Sequence, residues 1–252
     1  MEEKDLYSTI FQRKSIRKYA LDPLDEDILK EIRDHLQTLK PLYKEIKIEF
    51  KILSPDVVKR RMMREAPHYI AVFSEVKKGY LSNVGFMLQQ MDLFLSANGL
   101  GSCWQGIPTL RKEGLARSRL KFVILMAFGK PQETLHRTKM SLILIKRKSL
   151  HEITDIEGAD DLLETARLAP SARNAQEWFF TGDERLIHAY YRKPSFIPGL
   201  LIKKYPPMDV GISLYHLQLG AEHFGKETEI LFDDPKDNNL NEYGYVASLR
   251  LK

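Results

Sequence analysis

The chain has 252 residues, 43% of them hydrophobic and 10% aromatic, with a formal charge of +5 and a pI near 9.1. That length allows one large domain or two small ones with a good core. The single cysteine, Cys103, excludes an intrachain disulfide and any cysteine-based zinc site and fits a reducing cytoplasm.

In chain order, Met1-Glu2-Glu3-Lys4-Asp5 is charged in both signs with no apolar core behind it, so it does not read as a signal peptide. Residues 5–12 read as a short helix with Leu6, Ile10 and Phe11 on one face. Asp22-Pro23 signals a turn. From Asp25 to Leu39 the apolar positions Ile28, Leu29, Ile32, Leu36 and Leu39 recur at helical spacing until Pro41. Ile46 to Ile52 alternates and predicts a half-buried strand. Residues 56–65 look helical and polar, and Tyr69 to Phe73 reads as a buried strand. Asn83 to Asn98 is apolar nearly all round, the mark of a buried central helix, and Gly99 stops it as a left-handed C-cap residue does. Phe122 to Phe128 predicts another buried strand, and Ser141 to Ile145 a further strand or an extended crossing. The later part repeats the plan in shorter form. Helices are expected over 160–168, 183–191 and 209–224, the last stopped by Gly225, and strands over 178–181, 228–232 and 245–251. The sum is an α+β architecture with mixed sheets. No apolar run approaches the roughly 18 residues of a membrane span, and no segment is low in complexity.

Two stretches of sequence echo each other. Arg13-Lys14-Ser15-Ile16 is matched by Arg147-Lys148-Ser149-Leu150 at an offset of 134, which also lays Asp27-Ile28-Leu29 on Asp161-Leu162-Leu163 and Arg33 on Arg167. At an offset of 126, Val84-Gly85 and Leu88 match Val210-Gly211 and Leu214, and Gly99 falls on Gly225. Matches in the same order predict a duplicated half-domain. The expected halves are 1–145 and 146–252, with no Gly/Ser/Pro linker between them, packed as one unit.

Few chemical motifs stand out. Arg13, Lys14, Ser15 and Arg17 place four donor-bearing residues within five positions, a pattern suited to an anion, although a bare basic turn has the same composition. The loop Pro170 to Gln176 offers Ser171, Asn174 and Gln176, neutral groups suited to the edge of a polar heterocycle. Gly99 to Gly106 permits close approach of a flat ligand but is no dinucleotide fingerprint. Cys103 beside Trp104 reads as a packing residue rather than a nucleophile. The seven histidines show no paired metal spacing, and neither a P-loop nor a nucleophile elbow is present. No metal is expected. The net charge invites a nucleic-acid reading, yet acids accompany the bases nearly everywhere, and Lys59-Arg60-Arg61 with Arg64 lacks interleaved aromatics. No nucleic-acid or membrane partner is expected.

Together these pieces resemble the nitroreductase family of FMN-dependent oxidoreductases. The Arg13–Tyr19 stretch resembles the family's opening Arg-Arg/Lys-Ser-x-Arg-x-Tyr/Phe signature. Val84–Gly106 is similar to its central helix and the Gly-Leu-Gly-Ser/Thr-x-Trp that closes it, and Ala169–Trp178 to its Ala-Pro-Ser-x-x-Asn-x-Gln-Pro-Trp loop. Glu177 departs from that pattern, standing at the usual proline. Family members are usually homodimers in which both subunits contribute to each flavin. The resemblance therefore implies a cytoplasmic monomer acting as a pseudo-dimer with one surviving site.

It also implies residue roles. Arg13 and Ser15 would hold the FMN phosphate and ribityl chain with support from Lys14, and Arg17 would lie near the pyrimidine edge of the ring. Trp104, Gln105, Gly106 and Ile107 would pass the reactive nitrogen, while Pro170, Ser171, Ala172 and Asn174 would cover the flavin. Either Arg137 with Lys139, or Arg147 with Lys148, falls where the family often has a second phosphate-binding cation. The expected reaction takes hydride from NAD(P)H and delivers it to a small electrophile such as a nitroaromatic or quinone. An FMN- or nucleotide-binding module without turnover is the alternative.

Overall fold

The computed structural model describes residues 5–59, 65–138, 140–141, 145–193, 205–235 and 240–252. It divides into two compact units. The first holds Met1–Lys40, Lys44–Tyr80 and Gln90–Ile143, and the second Pro41–Tyr43, Leu81–Gln89 and Leu144–Lys252.

In the first unit, α1 (Leu6–Gln12) is capped by Asp5, whose side chain accepts from the backbone of Tyr7 and Ser8. Helix α2 (Glu26–Thr38) buries Leu29, Ile32 and Leu36 along one stripe. The sheet is built from β1 (Ile48–Leu53), β3 (His68–Ser74), β4 (Gly101–Gln105) and β6 (Lys121–Gly129), in the order β1-β3-β6-β4. Strand β2 (Val58–Lys59) pairs apart from it with β5 (Thr109–Leu110), and α4 (Lys112–Leu115) follows. Ile16, Tyr19, Tyr69, Phe73 and Leu125 belong to one buried cluster against this sheet. Between β3 and β4 runs the long helix α3 (Tyr80–Ala97), whose residues 81–89 group with the second unit and 90–97 with the first. Gly99 follows at φ +79°, the left-handed stop its position predicts.

The second unit starts with a single turn, α5 (Leu150–Ile153), held by a capping box between Ser149 and Glu152, and α6 (Asp160–Arg167). Its sheet contains β7 (Trp178–Gly182), β8 (Leu186–Arg192), β9 (Thr228–Leu231) and β10 (Tyr243–Leu251), ordered β7-β8-β10-β9. Helix α7 (Tyr205–His223) lies between β8 and β9 in the chain and buries most of its length. Numbered by appearance within its own sheet, each unit shows the same strand order, first-second-fourth-third. Every ladder in both sheets is antiparallel. Among the described residues, parallel pairing is confined to the bridge Thr154–Phe180.

Two expectations are corrected. Residues 183–191 do not form a helix: Leu186–Arg192 is strand β8. Ile187 and Ala189 are buried while His188 is half-buried, a period of two, and Gly182 at φ +115° makes the tight turn that returns the chain onto β7. An added Cβ on Gly182 would come within 2.1 Å of the Leu186 carbonyl oxygen, so the turn requires glycine. The stretch 56–65 is not a helix either. It begins as a 3-10 turn, Pro55–Val57, and continues into β2, because Val57 and Val58 are both buried; residues 60–64 lie outside the described ones. The strand expected over 141–145 falls mostly outside them as well.

Among the described residues no helix is long and apolar enough to cross a membrane.

Candidate functional site

Arg13 leaves α1 at its C-cap and runs straight into the core of the first unit, where it is 1% exposed. Its Nε pairs with Asp92 Oδ2 at 3.0 Å, and Nη2 donates to Ser15 Oγ at 3.4 Å. Asp92 sits on α3 and is itself fully buried; its other oxygen accepts from the Ser102 hydroxyl on β4. Ile16 N–H donates to Ser102 O at 2.9 Å, which fixes the basic segment along the start of β4. A second guanidinium belongs to the same cluster. Arg137, whose backbone N–H donates to Gln12 O at 2.7 Å, has a buried Nη1 with no hydrogen-bond partner among the described residues. Burial, and then the charge of Arg13, push its pKa down to about 10, with Asp92 pulling the other way. Two cations thus share one carboxylate in a desolvated place, a charge imbalance that favours an anion.

The other members of the basic segment turn outward. Arg17 and Lys18 are exposed, and their backbone N–H groups donate to Glu133 Oε1 at 2.7 and 3.1 Å. Lys14 and Ser15 are half-buried. Cys103 is buried in β4, and burial raises its thiol pKa despite the opposing pull of Arg17 and Arg13, so it packs rather than reacts. Trp104 and Gln105 follow it. The indole Nε1 and the Gln105 Oε1 are buried without a hydrogen-bond partner among the described residues. Gly106 is half-buried, and Ile107 is 61% exposed.

In the second unit the loop after α6 makes a separate polar cluster. Arg147 Nη1 donates to Asn174 Oδ1 at 2.7 Å and Nη2 to Leu168 O at 3.2 Å. Lys148 donates its backbone N–H to Gln176 Oε1 at 2.9 Å and its ammonium to Gln176 O at 3.0 Å. Asp209, in the second turn of α7, accepts the Ala172 N–H on both oxygens, at 3.2 and 3.1 Å. Pro170, Ser171 and Ala172 are half-buried and Asn174 is exposed. Among the described residues there is no group of three metal-binding side chains.

The sequence profile of the family described as "Putative TM nitroreductase" matches residues 5–221. The chain belongs to this nitroreductase family. Its fold is similar to that of a "putative nitroreductase" from Thermotoga maritima MSB8, with a TM-score of 0.66 at 22% identity, covering 100% of this chain and 94% of that one. An FMN-dependent nitroreductase from Clostridium difficile R20291 aligns at a TM-score of 0.41 and 15% identity, over 53% of this chain and 92% of its own. A "putative nitroreductase" in complex with FMN, from Desulfovibrio desulfuricans, aligns at 0.38 and 20% identity, over 58% and 99%. No curated protein matches.

Within this nitroreductase fold, the first unit gathers Arg13, Ser15 and Arg137 around Asp92. The second gathers Ser171, Ala172 and Asn174 with Arg147 and Lys148. Lys139 lies outside the described residues. Sequence reasoning missed Asp92, Ser102 and Asp209. A signal for Asp92 was present: it is a lone acid in the apolar run Met91-Asp92-Leu93-Phe94, and a charge there needs a buried partner.

Asp209 gives a pH prediction. Burial raises its carboxyl well above the usual carboxylate range; the Ala172 N–H and Arg147 oppose that shift and Glu177 adds to it. A folded pKa above the unfolded one means stability that is full below the unfolded value, about 4, and is lost as pH rises through the folded value. Asp209→Asn keeps an acceptor for Ala172 and cannot ionise. It is expected to exceed wild type in urea stability at neutral pH, with an advantage that shrinks toward pH 4 by at most about 1.4 kcal/mol per pH unit. An advantage that stays constant from pH 4 to 8 would remove the titration of Asp209 from the explanation.

Proposed function

We propose that the chain is an FMN-dependent oxidoreductase that takes hydride from NAD(P)H and delivers it to a small electrophile of the nitroaromatic or quinone kind. The observation that carries this reading is the buried cluster in which Arg13 and Arg137 share Asp92 while Arg137 Nη1 has no hydrogen-bond partner among the described residues. A phosphate monoester is the chemistry that completes it: a compact dianion with several acceptor oxygens for guanidinium donors. Arg147 and Lys148 already hold the 171–176 loop through their side chains. This favours Arg137 over them as the second phosphate cation. Ser15, beside Arg13, and Lys14 would hold the ribityl side. Arg17 has an exposed side chain and would stabilise negative charge gained on reduction at the pyrimidine edge. The segment Trp104–Ile107 and the loop Pro170–Asn174 would line the ring. FMN, when bound, supplies the hydride exchange, so no side chain need act as acid or base.

The reading extends to a single chain standing in for the family dimer. The shared strand order of the two sheets supports it. So does a reciprocal contact: a Cβ on Gly85 would meet Met208 O, and one on Gly211 would meet Ser82 O. Both pairs of positions are related by the offset of 126, so each contact of the crossing is the other's counterpart in the sequence repeat.

The purified chain is expected to be yellow and monomeric, to carry one FMN, and to be bleached by NADH or NADPH without oxygen. Protein that takes up no added FMN overturns the proposal. Protein that binds FMN but is reduced by neither nicotinamide is a binding module without turnover.

Arg137→Met separates the cofactor role from a structural one. It removes a desolvated donor and so is expected to leave the FMN-free protein equally stable or about 1 kcal/mol more stable. It should weaken FMN binding by about 1.5–3 kcal/mol, the range for a hydrogen bond to a charged group. Urea unfolding without FMN and fluorescence titration with it read the two effects; unchanged FMN affinity places Arg137 outside the site.

A further inference from the structure

The loop Ser171–Gln176 holds three residues that are not glycine in the left-handed region: Arg173, Asn174 and Gln176, at φ +56°, +60° and +50°. Such conformations persist only where the surroundings over-determine them, and they concentrate at binding and catalytic sites. Here the surroundings act from two directions. On one side Lys146, Arg147 and Lys148 take up the polar groups of Asn174 and Gln176. Asn174 accepts from Arg147 at 2.7 Å and donates to Lys146 O at 2.5 Å, so both ends of its amide are engaged. Gln176 accepts twice from Lys148, through its side chain at 2.9 Å and its main-chain oxygen at 3.0 Å. On the other side Asp209, buried in the second turn of α7, grips the Ala172 N–H with both oxygens. Two bonds close the loop on itself: Gln176 N–H to Ser171 Oγ and Gln176 Nε2 to Asn174 O, both 3.0 Å.

We infer that Arg147, Lys148 and Asp209 are positioning residues that set this loop in its binding shape before a ligand arrives. The inference rests on the proposed flavin reading for the loop's ligand, though the clamp itself does not. The sequence echo of Arg13-Lys14-Ser15 has a different task in the second unit. Arg13 is sunk against a carboxylate, whereas Arg147 and Lys148 hold a loop and Ser149 caps a helical turn. With one Asn174 amide N–H and one lone pair of its oxygen already engaged, what the loop offers a flat heterocycle is the Ser171 hydroxyl proton, the second Asn174 N–H and main-chain groups. An order gained in advance is an ordering cost not charged to binding, so releasing the clamp is felt as lost affinity even by a ligand that touches none of the three residues.

Arg173 supplies a readout that needs no flavin. It is exposed in the middle of the loop and offers trypsin a cleavage point. In FMN-free protein, Arg147→Met and Asp209→Leu are each expected to speed cleavage after Arg173 by about tenfold, the factor carried by one lost hydrogen bond of ordinary strength. The same two variants should weaken FMN binding by a similar factor. Asp209→Asn and Arg147→Lys, which keep an acceptor and a donor, should recover most of both effects. If Asp209→Leu fails to fold, Arg147→Met alone carries the test, since its side chain is only half-buried. Cleavage unchanged in Arg147→Met overturns the clamp. Faster cleavage with unaltered FMN affinity overturns the positioning role and leaves the flavin reading intact. Wild-type protein that takes up no FMN overturns the flavin reading, and the cleavage rates then still decide the clamp.

Discussion

Asp92→Ala is expected to cost about 3–5 kcal/mol, the range for removing one partner of a buried ion pair. The size follows from what stays behind. Arg13 is 1% exposed, so no water replaces the carboxylate that its guanidinium loses. Arg137 loses the same counter-charge, and the Ser102 hydroxyl loses its acceptor. The comparison that isolates electrostatics is the pair Arg13→Met with Asp92→Leu, which removes both charges at similar volume. Replacing a buried pair by apolar groups is often neutral, so the double variant should recover most of the loss in urea unfolding. Recovery should become fuller when Arg137→Met is added, because only then is no cation left without an anion. A loss below about 1 kcal/mol for Asp92→Ala would show water reaching Arg13 freely and would weaken the buried anion site with it.

How much of this was legible in the sequence depends on whether a local rule decides the structure. Helix α3 was readable because sixteen positions from Asn83 to Asn98 carry almost no polar face, and Gly99 has the one backbone that ends such a helix cheaply. Strands β3 and β6 were readable because continuous apolar runs bounded by turn residues have few other homes. Strand β8 was not. Asp183-Glu184-Arg185 looks like a charged first turn of a helix, yet Asp183 instead accepts the N–H groups of Arg185 and Leu186 across a tight turn, and pairing with β7 and β10 then decides the state. That is tertiary context overriding propensity.

The polar clusters show the same division. The basic segment and the Pro-Ser-Ala-Arg-Asn loop are visible as strings, but a string does not say that Arg13 points inward while Arg17 points to solvent. The partner that sets Arg13's direction, Asp92, is 79 positions away on a helix whose hydrophobicity hides it. Asp209 is concealed in the same way. At the sequence level it is the first acid of a helix, where a carboxylate is expected for dipole reasons, and only the folded chain brings it to Ala172. Arg147 and Lys148 were visible as an echo of Arg13 and Lys14. Their work on the loop was not, because it depends on left-handed backbone at Arg173, Asn174 and Gln176 that none of those residue types announces.

The other large effect is expected at two glycines that the repeat pairs with each other. A Cβ on Gly85 would lie 2.1 Å from Met208 O and 3.0 Å from Met208 C; a Cβ on Gly211 would lie 2.0 Å from Ser82 O and 2.8 Å from Ser82 C. The atoms in the way are helix backbone, so no rotamer change relieves them, and residues 81–89 of α3 must move off α7. In an exposed helix Gly→Ala would stabilise by about 1 kcal/mol. Here that gain is set against overpacking of a kind that costs about 1–3 kcal/mol when side chains can adjust and more when they cannot. Gly85→Ala and Gly211→Ala are each expected to destabilise by about 3 kcal/mol or more. The reciprocity adds a sharper expectation. Both substitutions separate the same two helix segments, so once one has opened the crossing the second meets less resistance, and the double variant should fall well short of the sum. Urea unfolding of the two single variants and the double variant reads all three values. Strict additivity would mean that the two contacts yield independently, and a cost below about 1 kcal/mol at either glycine would mean that the backbones are not held at this distance.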